Sequence, residues 1–339
     1  MPSLSLTQDP SAEKHRFRRH GRAPGGYEWW RIEAVDDANN LRLIAQLSMG
    51  HCFDPIYLRR LEAFLKYPTR NAPPRPAEYP RVDVSIYRNG KVIAKQVARY
   101  PATEFIASDT DVRIGETELN FRNGEIRFSA NFRASATPAT ANLLFRFPQT
   151  FLMTAVGNPT HAYAASAVPL DVSGAMRLAN SPAIDIHGLG CCEHRNGDFP
   201  IAYHAGQWMR GTVLSPSMSA GFSVEWPKNL DQAPEAEWFI SDSQGPPQSH
   251  ASLAKTGAWR MTMTGVSYPI ALDVEKDFVL RRPKIIHSSL FSVTLTYDVY
   301  LRGQQLRAFC EIFQLNRLRW PIFGKRIEYA ILPERKNAT

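Results

Sequence analysis

The chain has 339 residues, 44% of them hydrophobic and 21% charged, with a formal net charge of +8 from 40 Lys+Arg against 32 Asp+Glu. That apolar content can bury a core in one large or two ordinary domains and argues against a disordered chain. Twenty-five prolines and twenty glycines argue against a coiled coil or helical repeat, and no apolar run approaches the roughly 20 residues of a membrane-spanning helix.

Residues 1–24 read as a solvated, disordered arm. It carries Lys14, His15, Arg16, Arg18, Arg19, His20 and Arg22. Such an arm could touch an anionic membrane surface, which gains interest if the substrate is a lipid. No basic stripe is interleaved with aromatics in a recognisable nucleic-acid module, so no nucleic-acid partner is expected. Met1 to Leu6 lack the apolar core of a signal peptide, and four cysteines are not a disulfide framework. Both favour the cytoplasm and reduced thiols.

Order is expected from Tyr27 onward, with a short apolar strand over Leu41–Leu47. Asp54 can cap a helix and Pro55 suits its first position, placing Tyr57, Leu61, Phe64 and Leu65 on one face. Four prolines between Asn71 and Pro80 require a loop. The period then switches to two. Val82, Val84 and Ile86 alternate with polar residues up to Asn89-Gly90, a type I′ hairpin signal, because both turn positions need positive φ. Val92, Ala94 and Val97 lie on the return strand. Asn123-Gly124 repeats the device between Leu119/Phe121 and Ile126/Phe128. Arg302-Gly303 does so between Phe291–Val299 and Leu306–Phe313. Pro200–Gly211 reads as a hinge between two β-rich halves, and Asp231–Pro247 as a loop. The fold class is all-β, mainly antiparallel, closed into barrels or stacked as sandwiches, with a few short helices.

The chain holds no G-x-G-x-x-G, Walker, H-E-x-x-H or G-x-S-x-G pattern. Ser252-x-x-Lys255 lacks its companion motifs and is set aside. Cys191-Cys192-Glu193-His194 holds metal-ligand types, but neighbours on a strand point to opposite faces, so no metal is expected. By the same alternation, one of Trp29 and Trp30 faces a core and the other faces away. Trp30 is the candidate for lining an apolar pocket.

His187 to Gly197 is the densest polar segment. Read from composition alone it is a surface turn. Yet Tyr27-Glu28-Trp29-Trp30, Gly190…Glu193-His194…Gly197 and Trp208…Gly211…Val213 resemble landmarks of the acyclic carotenoid 1,2-hydratase (hydroxyneurosporene synthase) family. That family lies within a lipocalin-like group that includes kievitone hydratase and fungal Diels–Alderases. Ser289-Leu290-Phe291, Gly303 and Phe313-Gln314-Leu315-Asn316-Arg317-Leu318 extend the likeness, which runs in order from Tyr27 to Leu332. The hydratases usually read Gly-Tyr-x-Asp-His-Asn-x-Gly at the central block. Here Cys191 stands for the tyrosine, Glu193 for the aspartate and Arg195 for the asparagine.

The resemblance implies two lipocalin-like domains, 25–200 and 201–335, with the acidic motif close to their junction. It implies cofactor-free addition of water to a C=C bond of an acyclic carotenoid or related isoprenoid. Glu193 would be the acid, and His194 would orient it or accept a proton from water. Tyr27, Trp30, Cys191 and Trp208 would contact the substrate, the two tryptophans stabilising a cation. An isoprenoid cyclase or pericyclase, and a non-catalytic carrier of apolar ligands, are the alternatives on the same scaffold.

Overall fold

The computed structural model describes residues 23–331, except 109, 123, 133–136, 148–152, 159–160, 167–168, 180, 229–231, 243–247, 262–265 and 320–329. For 153–166, 242, 248–253, 255–261, 319 and 330–331 it describes the backbone alone. The basic arm up to Arg22, Asn123 and the side chains of Ser252 and Lys255 therefore lie outside the described residues.

Two compact units are present. The first takes the described parts of 7–152, 170–200 and 325–339, and the second those of 153–169 and 201–324. Residues 153–169 thus group with the second unit, although they precede the division at 200 expected from sequence.

The first unit is one long sheet. Its strands are β1 (Tyr27–Asp36), β2 (Leu41–Met49), β3 (Pro80–Arg88), β4 (Lys91–Arg99), β5 (Phe105–Ala107), β6 (Asp111–Ile114), β7 (Thr117–Arg122), β8 (Glu125–Phe132), β9 (Ala139–Arg146), β12 (Leu170–Leu178), β13 (Ala183–Gly197) and β23 (Ala330–Ile331). They lie in the order β23-β4-β3-β2-β1-β13-β12-β9-β8-β7-β6-β5. Pairing is antiparallel except for β23 on β4. In the second unit β10 (Met153–Asn158) pairs with β11 (His161–Ser166). A nine-stranded sheet there is built from β14 (Ala205–Ser215), β15 (Met218–Pro227), β16 (Glu235–Asp242), β17 (Gln248–Leu253), β18 (Lys255–Met261), β19 (Ser267–Glu275), β20 (Phe278–Ser288), β21 (Ser292–Leu301) and β22 (Gln304–Gln314). Its order is β17-β16-β15-β14-β22-β21-β20-β19-β18. The fold is all-β, two curled antiparallel lipocalin-like sheets with one α-helix among the described residues.

Period-two patterning decides which side of each strand is buried. Val82, Val84 and Ile86 enter the first core with Trp30, Ile32 and Ala34 of β1 and Leu119, Phe121, Ile126 and Phe128 of β7 and β8. Val293, Leu295, Tyr297, Val299 and Leu301 do the same in the second. The hairpin turns have the backbone their residues favour. Asn89 and Gly90 sit at φ 50° and 71°, Arg302 and Gly303 at 48° and 78°, as type I′ requires.

Helix α1 (Pro55–Lys66) begins where Asp54 accepts hydrogen bonds from the backbone of Ile56 and Tyr57 at 2.8 and 3.3 Å, with proline at its first position. Arg99 forks onto the same carboxylate. The helix buries Tyr57, Leu58 and Leu61, and the Tyr57 hydroxyl donates to the Gly26 carbonyl at 2.7 Å. That bond anchors the chain as it enters β1. Leu65, expected on the buried face, is instead 48% exposed. Tyr67, ahead of Pro68, ends the helix with a backbone outside the α region, the region that a following proline disfavours.

The expected hinge over Pro200–Gly211 contains the change from one unit to the other at Pro200/Ile201, where a 3-10 turn over Ile201–Tyr203 leads into β14. One expectation needs correction. Asp231–Pro247 is not wholly a loop, because Ala236, Trp238 and Ile240 alternate into the second core on β16. Among the described residues no helix is long and apolar enough to cross a membrane.

Candidate active site

The candidate site is written on β1 and β13, which pair antiparallel with Tyr27 opposite Gly197, Trp29 opposite Arg195, Arg31 opposite Glu193 and Glu33 opposite Cys191. β2 flanks them on the other side, with Gln46 opposite Arg31. Residues on a strand alternate between faces, and directly opposed residues share one. The ribbon therefore has two sets of side chains.

The first set is Tyr27, Trp29, Arg31, Glu33, Cys191, Glu193 and Arg195. The Trp29 indole N–H donates to Glu193 Oε1 at 3.0 Å, and Arg31 Nη1 lies 3.9 Å from Glu193 Oε2. Arg31 also donates to Glu33 at 3.2 Å, and Arg42 reaches the other Glu33 oxygen at 3.2 Å. Tyr27 stacks on Trp29 with ring centroids 5.1 Å apart, and the Arg195 guanidinium sits 5.9 Å from the Trp29 ring centre. Every member is buried, with Glu193 only 5% exposed. A buried carboxyl is costly unless it is hydrogen-bonded or paired, and here Glu33 has Arg31 and Arg42 beside it while Glu193 accepts from the Trp29 indole. Burial, reinforced by the Glu33 carboxylate, pushes the Cys191 thiol well above its ordinary value. At neutral pH it is a neutral thiol and a poor nucleophile.

The second set is Glu28, Trp30, Ile32, Cys192, His194 and Asn196. His194 Nε2 lies 2.8 Å from Glu28 Oε1, and its ring stacks on Trp30 at 5.4 Å with planes 8° apart. Glu28 is fully buried, and its Oε2 has no hydrogen-bond partner among the described residues. Trp30, Ile32 and Cys192 belong to the first unit's core.

The structure thus separates Glu193 from His194. Trp29 and Arg31, not His194, lie against the Glu193 carboxyl, because His194 is on the opposite face and is engaged by Glu28. Trp30 likewise belongs to the core, and Trp29 is the tryptophan beside Glu193. Tyr27 and Cys191 do share Glu193's face. Trp208 stands on β14 of the second unit. Its N–H donates to Ser223 Oγ at 2.7 Å, and its ring is flanked by Phe313 at 5.5 Å and the Arg210 guanidinium at 5.5 Å. Glu28, Trp29, Arg31 and Glu33 were missed as functional candidates. Strand alternation, already applied to the two cysteines, was the signal that would have found them.

Glycine keeps both landmark segments close-packed. A Cβ on Gly190 would lie 2.7 Å from the Glu33 carbonyl oxygen and 2.6 Å from Val172 Cγ2, and one on Gly211 would overlap the Phe222 ring. All four cysteines are buried and none is in a disulfide. Among the described residues no three His, Cys, Asp or Glu side chains are placed to hold a metal ion.

Fold and site together describe an all-β, lipocalin-like protein with a buried carboxyl cluster on a central strand pair. No protein-family model matches the chain. Its sequence is similar to the hydroxyneurosporene dehydrogenase of Chlorobaculum tepidum, 21% identical over 258 residues that cover 71% of this chain and 67% of that protein. Its fold is similar to that of an AttH-type protein of Nitrosomonas europaea, with a TM-score of 0.64 and 13% identity over 93% of this chain and 98% of the other. It is also similar to kievitone hydratase of Nectria haematococca, with a TM-score of 0.53 and 9% identity over 86% and 89%. The resemblance read from the sequence motifs thus reappears in a distant sequence relative and in the fold.

Proposed function

We propose that the chain is a hydratase that adds water to a C=C bond of an acyclic isoprenoid, with Glu193 as the proton donor. The observation that carries this reading is the Glu193 carboxyl itself. It is buried and aimed by the Trp29 N–H at 3.0 Å, on an indole against which the ring of Tyr27 stacks. The likeness to a protein named for hydroxyneurosporene and to a hydratase fold supports the substrate class and the reaction type.

An isolated alkene is a weak base, so the reaction needs an acid held at the double bond. Glu193 passes its proton to the less substituted carbon, and the π pair becomes the new C–H bond. The more substituted carbon is left as a tertiary cation, facing the carboxylate just formed. Water attacks the cation and releases one proton, which returns to Glu193. The balance is alkene plus water to tertiary alcohol. Trp29 and Arg31 hold the carboxyl in place, and Cys191 leaves room where a phenol would stand. The chain's own side chains supply the acid, and the reaction as written needs no cofactor.

A second reading is favoured by one observation. The unpartnered Oε2 of Glu28 is a buried carboxyl oxygen with His194 on its sister atom. In that reading Glu28 and His194 form the acid–base pair on the opposite face. Expressing the wild type, Glu193→Gln and Glu28→Gln in a host that makes acyclic carotenoids and squalene separates the two. Extracted lipids are examined by mass spectrometry for a gain of one water. A wild-type adduct lost only in Glu193→Gln supports the first reading, and one lost only in Glu28→Gln supports the second. A new product of unchanged mass indicates a cyclase. Unchanged lipid recovered on the purified protein indicates a carrier.

A further inference from the structure

The C-terminal end of α1 presents a surface unrelated to the carboxyl cluster. Leu65 is 48% exposed and Tyr67 47% exposed, side by side where the helix stops. The Tyr67 ring lies between two cations, with Lys66 Nζ 5.2 Å and Arg70 Cζ 5.9 Å from its centre. Between residues 59 and 78 the exposed charges are Arg59, Arg60, Lys66, Arg70 and Arg75 against Glu62 and Glu78, five cations to two carboxylates.

A cleft of about 450 Å³ adjoins these residues. Arg60 and Arg75 line it, with Asn71, Tyr79 and the prolines Pro73 and Pro74. Glu78 also lines it and accepts from the Arg75 backbone N–H at 3.4 Å. Asn71 fixes the cleft wall to the helix end by donating to the Ala63 and Tyr67 carbonyls, both at 3.1 Å. Two guanidinium groups in a cleft suit a phosphate, because each offers a planar fork of N–H donors. An exposed leucine and a tyrosine beside them suit the boundary between headgroups and acyl chains.

We propose that α1 and the Asn71–Glu78 loop form a docking site for an anionic phospholipid surface. Arg60 and Arg75 receive a headgroup phosphate, and Leu65 and Tyr67 enter the interface. The site is independent of the hydratase reading.

Co-sedimentation of the full chain with vesicles tests this, comparing phosphatidylcholine containing phosphatidylglycerol with phosphatidylcholine alone. Binding is expected to the anionic vesicles and to weaken with added salt. Arg60→Gln with Arg75→Gln is expected to weaken it about 25-fold, at about fivefold per basic residue. Leu65→Ser with Tyr67→Ser is expected to weaken it about tenfold at every salt concentration. All four positions lie on the surface, so an unchanged melting temperature checks the fold. Equal binding to both vesicle types overturns the proposal. Anionic binding unchanged in the fourfold variant also overturns it and moves the contact elsewhere, the basic arm included. Inorganic phosphate bound by the cleft without vesicle binding overturns the membrane as the source of the phosphate.

Discussion

One face of the β1–β13 ribbon is a packed core of Trp30, Ile32, Ala34 and Cys192, closed at one end by the Glu28–His194 pair. The other face, from the same two segments, is equally buried yet carries Arg31, Glu33, Glu193 and Arg195. Apolar burial contributes stability roughly in proportion to area, whereas a buried ion cluster costs desolvation and is often no better than a hydrophobic replacement. On the proposed reading, stability resides on one face and chemistry on the other.

The largest effect expected is on chemistry. Glu193→Gln keeps the shape of the side chain and its bond from Trp29 but removes the proton, so turnover is expected to fall by about 10³-fold. The melting temperature and the retention of ligand should be unchanged. His194→Ala strikes the opposite face. It strands Glu28 without a partner and leaves a void against Trp30, so about 2–3 kcal/mol of stability is expected to be lost in urea unfolding. Activity per folded molecule should stay near wild type. Equal loss of activity in both variants would break the division between faces.

The tryptophan pair sharpens it. Trp29→Phe keeps a ring but removes the donor that aims Glu193, and a tenfold or larger drop in kcat is expected, at about 1 kcal/mol of stability. Trp30→Phe should show the reverse, about 1–2 kcal/mol of stability with little change in kcat. The smallest effect lies where β1 turns into β2. Burial pulls the Asp36 carboxyl up, but hydrogen bonds from Asn39 and the backbone N–H of His187 outweigh it and hold the group below its ordinary value. A carboxyl lowered in the fold adds stability above its unfolded value of about 4 and loses it as pH falls through the folded value. Asp36→Asn is therefore expected to melt lower than wild type at pH ~6, with the gap closing by pH ~3.

Much of the fold was legible. Asn89-Gly90 and Arg302-Gly303 marked turns because few residues accept positive φ, and Asp54-Pro55 marked the helix because its first N–H groups need an acceptor. β16 was missed because Asp231 and the prolines and glycine around it outweighed the short alternation of Ala236, Trp238 and Ile240. The site was half legible. Glu193, Cys191 and Tyr27 share a face, while His194 and Trp30 lie on the opposite face of the same ribbon, a separation that only the register of β1 against β13 makes visible. Leu65 was placed on the buried face by helical spacing, which cannot tell where the packed partner ends.

The most direct test of the account measures water adducts in lipid extracts from cells expressing Glu193→Gln and Glu28→Gln beside the wild type. The account expects a wild-type adduct that persists with Glu28→Gln and vanishes with Glu193→Gln. An adduct that survives Glu193→Gln would contradict the assignment of chemistry to that face.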